Sequence, residues 1–131
     1  MITYQTAESV CAGHPDKLCD LIADRILDAF LRKDKSSRVA CEVMATKGKI
    51  IVAGEITCDG KVDIRWEVRE VLRKVGYNPW KFTVFVFVHK QSKDIETGVT
   101  TALEARNGSE ERYASLGAGD QGTVHGYATN E

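Results

Sequence analysis

The sequence predicts an α+β fold of two layers, with helices packed on one face of a mostly antiparallel sheet. Three observations lead there. Two segments carry apolar residues at helical period, a β-hairpin pattern lies between them, and a β-branched and aromatic run follows the second helical segment. The order α, β-hairpin, α, β lets both helices cover the same side of one sheet.

The first helix is expected from Pro15 to about Lys33, because Leu18, Ile22, Ile26, Ala29 and Phe30 recur with the 3.6-residue period. Pro15 suits the first helical position, Asp16 the first turn and Arg32-Lys33 the last, where each charge complements the helix dipole. A strand from Val39 to Thr46, a Lys47-Gly48 turn and a return strand from Lys49 to Thr57 form the hairpin. The second helix is expected from about Val62 to Val75, with Ile64, Val68, Val71, Leu72 and Val75 as its stripe and Gly76 as its stop. Lys81 to His89 reads as one buried strand, and Ile2 to Tyr4 has the composition of an added edge strand. Periodicity then stops. Residues 91–116 read as a mobile loop, with a short helical stretch at Val99 to Arg106 broken by Asn107-Gly108-Ser109. Residues 117–131 read as the start of a further domain, leaving 1–90 as the first.

Composition narrows the function. At 131 residues the chain can bury a core of its own, and 43% apolar with 28% charged residues argues against disorder. Eighteen basic and 19 acidic residues leave a net charge of −1, without the footprint of a nucleic-acid binder or a polybasic membrane anchor. The longest apolar run, Phe82 to Val88, is too short to span a bilayer, and the N-terminus has no signal-peptide pattern. Cys11, Cys19, Cys41 and Cys58 lack Cys-x-x-Cys spacing, which argues against a zinc site or a disulfide framework; Cys19 and Cys41 read as small core residues. A cytoplasmic location fits this cysteine usage.

Two constellations carry chemistry. In Gly13-His14-Pro15-Asp16-Lys17, with Glu8 upstream, the proline puts His14 at a helix cap, where open amides and the dipole favour an anion such as phosphate. Asp16 and Glu8 offer hard oxygen ligands of the kind Mg²⁺ shares with phosphates. The plainer reading is a capped helix with solvated charges. In the hairpin, a two-residue loop pairs Glu42 with Ala53 and Glu55 with Ala40, so both acids project from one face, opposite Val39, Cys41, Val43, Val52 and Ile56. Two acids there can hold a cation or an amino group, or simply meet solvent. Gly117-Ala-Gly-Asp-Gln-Gly122 lacks the frame of a phosphate-binding P-loop. His89 and His125 read as structural, and Trp66 and Trp80 as packing residues.

Together these segments resemble the S-adenosylmethionine synthetase (methionine adenosyltransferase) family. Thr6-Ala-Glu-Ser-Val with Gly13-His-Pro-Asp-Lys-Leu-Cys-Asp is similar to its N-terminal signature. Val39-Ala-Cys-Glu-Val and Val52-Ala-Gly-Glu-Ile-Thr resemble its first hairpin, and Lys90-Gln-Ser-Lys-Asp-Ile the start of its gating loop. Gly117 to Gly122 with Gly126-Tyr-Ala-Thr-Asn-Glu131 resembles its central signature. Thr123-Val124-His125 stands where Leu-Met-Phe is common, and Lys93 where proline is common.

The resemblance implies that methionine sulfur attacks C5′ of ATP and that the released triphosphate is cleaved to pyrophosphate and phosphate, with Mg²⁺ and K⁺ as cofactors. It implies that His14 contacts the ATP phosphates and assists catalysis, and that Asp16, with Glu8, holds Mg²⁺. It further implies that Glu42 holds K⁺, that Glu55 and Gln91 bind methionine, and that Asp120 meets ribose or methionine. Residues 1–90 would be the family's N-terminal domain, 91–116 its gating loop and 117–131 the opening of its central domain. The family works as a homodimer or homotetramer with active sites built from two subunits, so this stretch is expected to carry only part of a site. The competing expectation is a non-catalytic ligand-binding or dimerisation module of the same descent. On the first reading, the face bearing Glu42 and Glu55 is expected to look toward a phosphate pocket roofed by the helix tip at His14.

Overall fold

A computed structural model describes residues 4, 6–91 and 122–130. The chain divides into two compact units, Val10–Gln91 and a second made of Met1–Ser9 with Ser92–Glu131. In the second unit, the described residues are exposed and without regular structure. The edge strand expected at Ile2–Tyr4 lies outside the described residues except for Tyr4, which is in no strand. The helical stretch at 99–106 and the glycine-rich segment 117–121 also lie outside them.

The unit Val10–Gln91 runs α1 (Pro15–Lys33), β1 (Arg38–Thr46), β2 (Lys49–Thr57), α2 (Ile64–Val75), a 3₁₀ turn (Pro79–Lys81) and β3 (Thr83–His89). Pro15 opens α1 as expected, and Arg32 and Lys33 occupy its last turn. Asp63 caps α2 by accepting from the Trp66 amide at 3.0 Å, so the helix starts just inside the expected Val62. Gly76 ends it in the left-handed region, at φ 97°, where a side chain is disfavoured.

The hairpin register is the one a two-residue loop dictates: Glu42 faces Ala53 and Ala40 faces Glu55. The third strand adds something the pattern did not specify. β3 joins the free edge of β2 in parallel, with Ile51 level with Phe85 and Glu55 level with His89, so the sheet is mixed and β2 is its centre. The crossover through α2 is what permits this, since a parallel partner cannot follow a tight turn.

One sheet face is closed. Ile50, Val52, Ile56 and Val84 are buried there with Leu18, Ile22, Ile26 and Phe30 of α1 and Val68, Val71 and Leu72 of α2. Val39, Cys41 and Val43 pack against the same cluster, as their alternation predicts. Burial pushes the Cys41 thiol up to about 11, with the neighbouring Glu42 charge adding to it, so this sulfur is an inert packing group. Burial likewise raises Cys19. The tryptophans correct the sequence reading: Trp66 is 52% and Trp80 77% exposed. Trp66 lies off the apolar stripe of α2, and Trp80 lies over the Arg69 guanidinium, 4.8 Å from ring centre, instead of entering the core.

Candidate functional site

The first candidate patch is the tip of α1. The His14 amide donates to the Cys11 carbonyl at 2.9 Å, closing a turn just before Pro15. His14 is the N-cap, and its Nδ1 accepts from the Asp16 amide at 3.3 Å. An accepting Nδ1 carries no proton, so in this arrangement the imidazole proton sits on Nε2, the atom left to meet a ligand. The Asp16 carboxylate lies 3.9 Å from the same Nδ1, beyond hydrogen-bond range, and is 88% exposed. In the first turn Pro15 has no N–H, and that of Asp16 is taken by His14. Beside it lies a cleft of about 510 Å³, lined by Gly13 and Pro15, by the hairpin turn and by Tyr77 and Phe82.

The second patch lies on the open face of the sheet. β1 presents Arg38 and Glu42, β2 presents Glu55 and Thr57, and His89 of β3 stands level with Glu55. His89 Nε2 is 3.4 Å from Glu55 Oε1. Just past β3, the Gln91 carboxamide oxygen accepts from Arg38 Nε at 3.3 Å, reaching across the end of the sheet. Glu42 and Glu55 are diagonal neighbours, roughly 7–8 Å apart at the backbone and within reach of one small ligand. Toward the hairpin turn the same face becomes apolar, with Met44, Ile51, Phe85 and Phe87; the two phenylalanine rings stack at 6.4 Å.

Arg38, Glu55, His89 and Gln91 therefore gather at one end of the open face, Glu42 stands one diagonal step nearer its middle, and His14 and Asp16 form a separate pair. Within this unit the two groups do not meet, which corrects the expectation that the acidic face looks toward the His14 tip. Both helices fill the opposite face of the sheet, and the α1 tip borders the hairpin turn. Glu55 lies six residues beyond Lys49, at the far end of β2, which is about 20 Å at about 3.3 Å per residue. Glu8 belongs to the other unit, and Asp120 lies outside the described residues.

Three residues with a part in these patches escaped the sequence reading. His89 reads as structural from the sequence because it stands isolated there; the parallel pairing of β3 sets it level with Glu55. Arg38 shares the parity of Glu42 and was within reach of the same alternation argument. Tyr77 follows the Gly76 stop, and its hydroxyl donates to the Gly13 carbonyl at 2.9 Å, a contact across 64 positions that no local pattern reveals.

The donor set fits shared, not caged, cations. Among the described residues, no group of three or more His, Cys, Asp or Glu is arranged to hold a metal ion. An exposed single carboxylate such as Asp16 suits Mg²⁺ carried in on phosphates, since that ion keeps several waters and takes one or two protein oxygens. No helix of the described residues is long and apolar enough to cross a membrane.

Comparison with known proteins supplies the lineage. The family described as "S-adenosylmethionine synthetase, N-terminal domain" matches residues 3–97. The S-adenosylmethionine synthase of Clostridium botulinum (strain Alaska E43 / Type E3) is 47% identical over 133 residues, covering 96% of this chain and 34% of that protein. That of Desulforudis audaxviator is 48% identical with the same coverage, and that of Finegoldia magna 46% identical over 135 residues, 98% of this chain. The chain spans about a third of the length of these curated relatives. With two helices packed over a three-stranded sheet and these identities along nearly its whole length, the chain belongs to the S-adenosylmethionine synthetase family through that family's N-terminal domain.

Proposed function

We propose that this chain carries part of an active site that forms S-adenosylmethionine from ATP and L-methionine, with the triphosphate then cleaved to pyrophosphate and phosphate. The observation that carries the reading, beside family membership, is that Glu42 and Glu55 share one open sheet face as diagonal neighbours, with Gln91 at the end of that face. The reaction asks little covalent help of a protein. A thioether sulfur is already nucleophilic, so the work is to align it with C5′ and to neutralise the departing triphosphate.

His14 Nε2–H donates to a phosphate oxygen and strengthens that bond as charge builds on the leaving group. Glu55 pairs with the methionine ammonium, and Gln91 fixes the same amino acid from the end of β3. Asp120 contacts ribose or methionine. Asp16, with Glu8, would hold Mg²⁺, and Glu42 would hold K⁺; these ions supply positive charge to the triphosphate and its surroundings. Because the tip and the acidic corner lie on opposite sides of one sheet, the complete site takes His14 from one subunit and Glu55 from another, in a homodimer or homotetramer. The exposed Met44, Phe85 and Phe87 on the open face support such an association. A cytoplasmic enzyme is the corresponding location.

The test uses the full-length protein with ATP, methionine, Mg²⁺ and K⁺. The expected result is S-adenosylmethionine at a rate that His14→Ala abolishes. Saturable methionine or ATP binding without product would favour the non-catalytic module. Mixing His14→Ala and Glu55→Gln subunits, each inactive alone, is expected to restore roughly a quarter of the activity, because half the random dimers then hold one intact site of two. No restoration would place both residues in one subunit and overturn the shared-site reading.

A further inference from the structure

We infer that Tyr77 is a positioning residue for His14, an inference that rests on the role proposed above for that histidine. The starting point is the Gly13–His14 peptide. Its N–H donates to the Cys11 carbonyl at 2.9 Å, and its carbonyl accepts from the Tyr77 hydroxyl at 2.9 Å. Both polar ends of this one peptide are thus bonded, and the plane from which the His14 side chain projects cannot turn without breaking one of them.

Tyr77 is itself held from three directions. Its amide donates to Leu72 at 2.9 Å across the Gly76 cap, its ring meets Phe82 edge-on at 5.5 Å, and its hydroxyl reaches Gly13. The end of α2 therefore reaches over to clamp the start of α1. Gly13 is fitted to this contact: a Cβ there would stand 3.1 Å from the Tyr77 hydroxyl oxygen. Further along, His14 Nδ1 takes the Asp16 amide at 3.3 Å, so a fixed peptide plane also fixes which ring nitrogen faces outward. The consequence is a pre-set Nε2–H direction, the property a phosphate-facing donor needs before substrate arrives.

Two measurements test this. Long-range ¹H–¹⁵N spectra of the 131-residue chain are expected to report a single His14 tautomer with the proton on Nε2. Tyr77→Phe keeps the ring and its contact with Phe82, and should move His14 toward a mixture of tautomers. Gly13→Ala presses on the same hydroxyl from the other side and should do the same, so the question survives if either variant folds poorly. A His14 spectrum unchanged by both substitutions would overturn the inference.

In the full-length protein, Tyr77→Phe is expected to lower kcat about tenfold, with the methionine KM unmoved. It should add no further loss in a His14→Asn background, where a carboxamide keeps a weaker donor and some turnover, because it acts through that residue. An additive loss would mean that Tyr77 serves folding alone, and would sink the proposal. If His14→Ala leaves turnover untouched, the functional reading fails, while the tautomer spectra still decide whether Tyr77 sets the histidine.

Discussion

The helix tip and the sheet corner each pair a histidine with an acid, and they do so by opposite means. At the tip, His14 and Asp16 are two residues apart, and the ring nitrogen accepts a backbone amide while the carboxylate stands off at 3.9 Å. At the corner, His89 and Glu55 come from parallel neighbouring strands and meet nitrogen to oxygen at 3.4 Å. The tip is a product of local capping chemistry, tied down by one distant hydroxyl. The corner exists only while three strands keep their register. A one-residue slip in β2 would send Glu55 into the core and leave His89 without its acid, whereas the tip would keep its cap.

The sharpest way to test that contrast is at two glycines. Gly54, beside Glu55, has φ 145°, and a Cβ there would lie 2.1 Å from the Ala40 carbonyl oxygen. Neither group can yield, because Ala40 and Glu55 face each other in the ladder. Gly54→Ala is expected to destabilise the fold by about 3 kcal/mol or more. The matching change at the tip, Gly13→Ala, meets only the end of a tyrosine side chain, and should cost about 1 kcal/mol or less. Urea unfolding of both variants measures the difference. Equal losses would mean that the corner is no more register-dependent than the tip.

The same contrast explains what could be read in the sequence. The α1 stripe, the Pro15 start, the Lys47-Gly48 turn and the alternation of Val39, Cys41 and Val43 are local patterns, and each appears where expected. The shared face of Glu42 and Glu55 followed from loop length alone. The direction of β3 did not, because a β-branched run reads the same in either orientation and its pairing is decided by the crossover through α2. His89 and the Arg38–Gln91 bond were hidden for that reason. The position of the tip relative to the acidic face is hidden for a related one. Alternation tells which residues share a face, and the apolar stripes of both helices then claim the other face of the sheet.

A smaller effect is expected from His89 itself. Its Nε2 lies 3.4 Å from Glu55 Oε1 and so occupies one side of the carboxylate proposed to meet methionine. Removing it by His89→Ala in the full-length protein should shift the methionine KM by up to about fivefold, the scale of an exposed ion pair, and leave kcat where it was. A KM equal to the parent's would show that His89 takes no part in this corner.

The smallest effect is set at the far end of α1, opposite the His14 tip. Asp34 ends the helix. Its carboxylate accepts the Ser36 hydroxyl at 2.6 Å and the Ser36 amide at 2.8 Å, and the Asp59 amide at 3.0 Å. The Ser36 hydroxyl, then the Asp59 amide, hold this acid below its ordinary value in the folded chain. The fold therefore prefers the charged form, and the stability it adds is present above the unfolded value of about 3.9. That stability is lost as pH falls through the lower folded value. Because the group is exposed, the expected change is slight. Asp34→Asn should melt below the parent at pH 7, and the gap should close in thermal melts taken at progressively lower pH. A gap as wide in strong acid as at neutrality would mean that the loop geometry, and not the charge, was lost. The substitution should leave the His14 tautomer spectrum where it was, since the network joins the end of α1 to the β2–α2 loop and His14 caps the helix's other end.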